Sequence, residues 1–121
     1  MTDKKFKIDI DKRTYDFALR VIKFVKMLPK EMPAQELGRQ LLKSATSIAA
    51  NVEEAQGAFS KEDFIFKMNT ALKEAKESNL WSKLIKDAKL SSALEELDWL
   101  IRESFEIKNI LGKIVKTSKD S

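Results

Sequence analysis

Residues 64–85 read FIFKMNTALKEAKESNLWSKLI, and the spacing inside this stretch decides the fold. Phe64, Met68, Ala71, Ala75, Ser78, Ser82 and Ile85 recur at alternating intervals of four and three, the seam of a helix that packs lengthwise on another helix. The middle of the seam is small, so its partner must come close. Ser44 to Val52 supplies that partner: nine residues without a charge, with Ser44, Ala45, Ser47, Ala49 and Ala50 small enough to admit a neighbour. The two segments are expected to face each other. A second row, Ile65, Leu72, Leu80, Trp81 and Leu84, is expected to widen the buried surface.

Working outward, Pro29 and Pro33 lie four residues apart. Each would break a helix interior by removing a donor and clashing with the preceding turn, so they mark a connection. Before it, residues 13–28 carry Tyr15, Phe17, Ala18, Val21, Ile22, Phe24, Val25 and Leu28. This arc is wider than the roughly 100° stripe of a surface helix, as though the helix were covered from two directions, one of them a neighbouring subunit. After the connection a helix is predicted from Pro33, favoured in a first turn, to Glu54, with Gly57 at its end. Ser60-Lys-Glu-Asp63 resembles a capping box with a short fourth residue, and Ser92-Ala-Leu-Glu95 is a fuller one. The latter is expected to open a last helix to Val115, with Leu94, Leu97, Ile101, Phe105, Leu111 and Ile114 inward.

The alternation Phe6-Lys-Ile-Asp-Ile-Asp11 suits an extended strand-like arm. The predicted organisation is an arm over residues 1–12, a bundle over 13–116 and a frayed tail over 117–121. The fold class is all-α, an antiparallel up-down-up-down four-helix bundle. Three Gly and two Pro in 121 residues agree with long helices and few turns.

With no Cys and no His, disulfide frameworks, Cys/His zinc sites, thiol nucleophiles and imidazole triads are excluded. Carboxylate pairs remain, at Glu53/Glu54, Glu74/Glu77 and Glu103/Glu106. Glu54 and Glu77 on facing helices could hold an oxygen-preferring ion, but bundle di-metal sites combine Glu with Glu-x-x-His, and solvation or pairing with Lys73, Lys76 and Lys83 is the simpler reading. Gly38, Gly57 and Gly112 do not form a phosphate loop. No catalytic residue, metal or cofactor is assigned. Ser44, Ser47 and Ser78 read as packing residues, Trp81 and Trp99 as core or interface aromatics, and Asn51 as a structural clamp between helices. No apolar run approaches the roughly 20 residues of a membrane span, and a soluble, cytoplasmic protein is expected.

Charge is the remaining lead. The net charge is +4 and the isoelectric point about 9.2. Residues 1–14, 15–33 and 56–90 each carry an excess of +2. Arg13, Arg20, Lys23, Lys26 and Lys30 near the first helix, with Lys61, Lys76 and Lys83 on the third, form the candidate set for contacts to a phosphate backbone.

The block QLLKSATSIAANVEEA (residues 40–55), followed by SKEDF (60–64), ALKEAKE (71–77) and Trp81, resembles the bacterial four-helix bundle proteins, also called 23S rRNA intervening-sequence proteins. The similarity runs from about Tyr15 to Thr117. Ala49 stands where glycine is common and Leu80 where an aromatic is frequent, which bears on packing tightness. The resemblance implies an antiparallel bundle assembled as a ring-like homopentamer, with no implied activity. A related group, the accessory proteins of diversity-generating retroelements, is a basic pentameric bundle that engages a reverse transcriptase and nucleic acid. Pentamerisation would multiply the charge and make a weak patch effective. The expected function is therefore a non-enzymatic oligomeric bundle that binds structured RNA or DNA through basic helix faces. The alternative is an oligomeric interaction scaffold with a polypeptide partner.

Overall fold

The computed structural model describes residues 2–121, with side chains from Ile10 onward. Four helices make up the chain: α1 (Thr2–Val25), α2 (Met32–Gln56), α3 (Lys61–Asp87) and α4 (Leu94–Asp120). Short connections make successive helices antiparallel neighbours, and α1 closes the bundle against α4.

The α2–α3 seam follows the heptad spacing. Met68, Ala71, Ala75, Ser78, Ser82 and Ile85 are buried against Leu41, Ser44, Ala45, Ile48 and Val52 of the opposite helix or the shared core. Two hydroxyls meet at its centre, with Ser44 Oγ and Ser78 Oγ 2.7 Å apart. Ser44 also donates to its own helix at Leu41 O, and Ser82 to Ser78 O. Helix α2 also closely approaches the connection that follows α1: a Cβ on Gly38 would lie 2.6 Å from a Leu28 methyl.

Several expectations change. The predicted arm is helical from Thr2. Its six-residue alternation is overridden by the longer repeat Ile10, Thr14, Phe17, Val21, all buried, at intervals of three and four. The predicted tail is helical too, with α4 running to Asp120. On α4 the inward row is Leu97, Leu100, Ser104, Ile107, Leu111 and Ile114, whereas Leu94 and Phe105 are exposed. Burial of Ser104 is made acceptable by Asn79, whose Nδ2 donates to Ser104 Oγ at 3.1 Å and to Ile101 O at 3.0 Å across the α3–α4 seam. Leu80 and Leu84 also face solvent, so the second row on α3 is buried only in part.

The caps differ as well. Ser60 caps α3 by accepting from Asp63 N at 3.0 Å. The Asp63 carboxylate accepts from Phe59 N, one residue before the cap, so the box closes one position early. Helix α4 begins at Leu94 without a side-chain cap, because the N-cap position falls on Ala93 and not on Ser92; Ser92 accepts from Leu94 N through its carbonyl, and Ser91 Oγ accepts from Ala93 N. Helix α3 ends in a Schellman motif, with Leu90 N donating to Ile85 O and Lys89 N to Lys86 O. Lys89 occupies the left-handed position at φ 57°, where glycine is the usual residue.

Candidate nucleic-acid interface

The basic residues divide into those already spent within the bundle and those left to solvent. Arg13 on α1 grips Glu103 on α4 with two bonds, Nε to Oε2 at 2.7 Å and Nη2 to Oε1 at 3.0 Å. Arg20, two turns on, grips Glu96 in the same way at 2.8 and 3.1 Å. Its guanidinium also lies 3.7 Å from the centre of the Trp99 ring, while Phe17 stacks against Trp99 at 6.3 Å and 26°. The resulting α1–α4 seam uses long side chains in layers, arginine over tryptophan beside phenylalanine. The hydrogen bond to Glu96 holds the Arg20 guanidinium even more firmly protonated than usual. Arg13 and Arg20 thus face α4, and as anion ligands they would first have to leave a carboxylate.

Lys23, Lys26 and Lys30 are exposed and form no ion pair among the described residues. Helix α1 ends at Val25, so Lys26 and Lys30 belong to the connection and not to a continuous helical stripe. Lys23 lines an open cleft of about 1250 Å³ between the end of α1 and the α3–α4 turn, whereas Lys26 and Lys30 are outside its lining. The lining is apolar at Phe24, Met27, Leu90 and Leu94 and charged at Arg20, Lys23, Lys86 and Lys89 against Glu31, Asp87 and Glu96. Glu96 is matched by Arg20, and Lys86 pairs with Asp98 at 2.6 Å, a bond that raises the lysine's pKa. Lys89 was not among the expected contacts. Its signal in sequence was only its place in a turn, which gives no direction to a side chain.

The other expected residues lie apart. Lys61, at the opposite end, donates to the Ser121 main-chain oxygen. Lys76 is exposed along α3. Lys83 lines a smaller groove of about 370 Å³ between α3 and α4. Of the expected residues, the cleft brings together Arg20 and Lys23; Lys26 and Lys30 follow in the connection after α1, and Arg13, Lys61, Lys76 and Lys83 lie elsewhere.

Asn51 is no clamp between helices. Its Nδ2 donates to Ser47 O at 2.9 Å and Ser47 Oγ at 3.2 Å, all on α2. The clamp is Asn79, which a polar residue amid a charged stretch gave no reason to single out. Glu54 pairs with Lys67 at 3.1 Å, not with Glu77. Glu74 stands apart electrostatically, since burial first and the neighbouring Glu77 second push its carboxyl above the ordinary range. Among the described residues, no group of three or more acidic residues is placed to hold a metal ion, and no helix is long and apolar enough to cross a membrane.

The outer face of α1 is partly apolar. Tyr15, Leu19 and Ile22, at intervals of four and three, are exposed by 61%, 41% and 38%, so nothing within the bundle provides the second cover that the wide arc implied.

Comparison with known proteins gives this geometry its relatives. A crystal structure from Bacteroides thetaiotaomicron VPI-5482, described as a protein of unknown function from the S23 ribosomal protein family, superposes with a TM-score of 0.81 at 34% identity, covering 92% of this chain and 98% of that one. No curated protein matches. The family profile described as 23S rRNA-intervening sequence protein matches residues 7–113, and the chain belongs to that family.

Proposed function

We propose that the protein is a non-enzymatic, oligomeric helical bundle of the cytoplasm that binds structured RNA or other nucleic acid through phosphate contacts. The observation that carries this reading is that Lys23 and Lys89, neither in an ion pair among the described residues, line one cleft at the end of the bundle where exposed, unpaired Lys26 and Lys30 follow in the adjoining connection. Lysines held in no internal pair keep their full charge for a polyanion and release counterions from it. The net charge of +4 and the family's description as an rRNA-intervening sequence protein support the same reading. Of the eight residues expected from sequence, Lys76, Lys83 and Lys61 would extend the binding surface along α3 when several copies assemble. Arg13 and Arg20 would act by holding α1 on α4. Phosphate contacts position a nucleic acid without reading its bases, so sequence selectivity is slight.

The test is fluorescence anisotropy of a labelled structured RNA across a salt series. The double variant Lys23→Glu/Lys26→Glu is expected to weaken binding and to flatten the log–log salt dependence by about one unit for each phosphate that is no longer neutralised. An unchanged affinity and slope would overturn the assignment.

A second reading, an oligomeric scaffold for a polypeptide partner, is favoured by one observation, the exposed Tyr15, Leu19 and Ile22 stripe. Sedimentation of the Tyr15→Glu/Ile22→Glu variant checks it: loss of assembly with RNA binding retained would separate the two roles, and a wild-type monomer would remove this reading.

A further inference from the structure

The smaller groove between α3 and α4 holds a feature the phosphate reading does not use. Phe105 is 47% exposed on α4, and it lines this groove with Ile101, Arg102, Lys83 and Asn79. Over its ring lies the end of a flexible side chain, Lys108 Nζ, 4.2 Å from the ring centre. Lys83, Arg102 and Lys108 form no ion pair among the described residues. Of the two acids on the rim, Glu103 is neutralised by Arg13, which leaves Glu106. Asn79 spends its amide on α4, and its carboxamide oxygen remains able to accept.

We infer that this groove takes one unpaired base of a single-stranded segment, stacked on Phe105, with flanking phosphates held by Lys83, Arg102 and Lys108. The inference rests on the nucleic-acid reading above and narrows it to the form of nucleic acid. An exposed aromatic ring beside unpaired cations is the combination that single-strand binders use, because every base has a π-face and every step a phosphate; a base stacking on the face that Lys108 covers would move its flexible ammonium aside onto a flanking phosphate. A duplex keeps its bases stacked inside and would leave Phe105 without a role. A loop in a folded RNA splays its bases outward and would fill it. A purely apolar peptide side chain would satisfy the ring but leave the three cations unpaired. The Asn79 oxygen can accept a hydrogen bond from an exocyclic amino group of the stacked base.

The experiment titrates full-length protein with a 2-aminopurine-labelled RNA strand of about 12 nucleotides, within the span a single-strand groove covers, and with its perfect duplex, at several salt concentrations. The wild type is expected to bind the strand more tightly and to quench the probe. Phe105→Leu keeps apolar bulk, removes the π-face and, at an exposed site, leaves the fold intact by circular dichroism. It should weaken strand binding by about 5- to 100-fold with the salt slope unchanged and duplex binding unaffected. Lys83→Glu should instead lower the slope. If the wild type binds RNA and Phe105→Leu binds the strand equally well, the stacking site is overturned while the phosphate reading stands. If the wild type binds neither RNA at low salt, both fall.

Discussion

Two seams on opposite sides of the bundle are built on opposite principles. Between α2 and α3 the side chains are small, and a pair of serine hydroxyls meets 2.7 Å apart at the centre. Between α1 and α4 they are long, and paired arginines and carboxylates flank an aromatic stack. The first seam depends on volume: a close-packed interior transmits a single added methylene as strain. The second depends on charge at the rim of the bundle, where water and salt compete. Steric changes should therefore act on α2–α3, and ionic strength on α1–α4.

The largest break should come from Ala75→Leu. Ala75 is fully buried in the small seam, and overpacking there is expected to cost about 1–3 kcal/mol, read as a lower midpoint in urea at any salt concentration. Next comes the serine pair. Ser44→Ala leaves Ser78 Oγ buried without its partner and should cost about 1–2 kcal/mol, whereas the double variant Ser44→Ala/Ser78→Ala should be nearly neutral. A loss in the double variant equal to the sum of the two single losses would show that the hydroxyls contribute independently, by volume alone. Arg20→Ala removes a half-exposed ion pair and a cation–π interaction, so a cost of about 1 kcal/mol that shrinks in high salt is expected. A cost independent of salt would mean that packing on Trp99 outweighs the pairing with Glu96.

Glu74 sharpens the comparison through pH. Its folded pKa is raised, so its contribution to stability is fully present below the ordinary glutamate value of about 4.3 and is lost as pH rises through the folded value. Glu74→Gln should therefore leave stability nearly unchanged in acid and raise it modestly at neutral pH. Thermal melts along a pH series check the sign.

The contrast also explains what was legible in the sequence. The small seam could be read because its residues repeat at four and three over six turns and carry no charge that could face elsewhere. Helix α4 offered two apolar rows instead of one. Hydropathy favours the row with Phe105, while the buried row contains Ser104, whose hydroxyl donates to Ile101 O on its own helix and accepts from Asn79 on another. The first twelve residues failed for a related reason: a six-residue window cannot tell a period of two from one of 3.6 when the deciding partners, Thr14 and Phe17, lie beyond it. In the candidate interface, the sign of the charge was readable but not its availability. Whether an arginine is free depends on a carboxylate 76 or 90 residues away, and no local pattern encodes that distance.

Lys89 closes α3 in a left-handed conformation that costs an L-residue about 1–2 kcal/mol, part of which glycine would return. Lys89→Gly should stabilise the fold by about 0.5 kcal/mol after the extra chain entropy of glycine is subtracted, and should also remove one cation from the rim of the cleft. A variant that melts later yet holds RNA more weakly would mark this turn as a place where durability and activity are exchanged. The bundle would then be tuned for its surface at the expense of its own endurance.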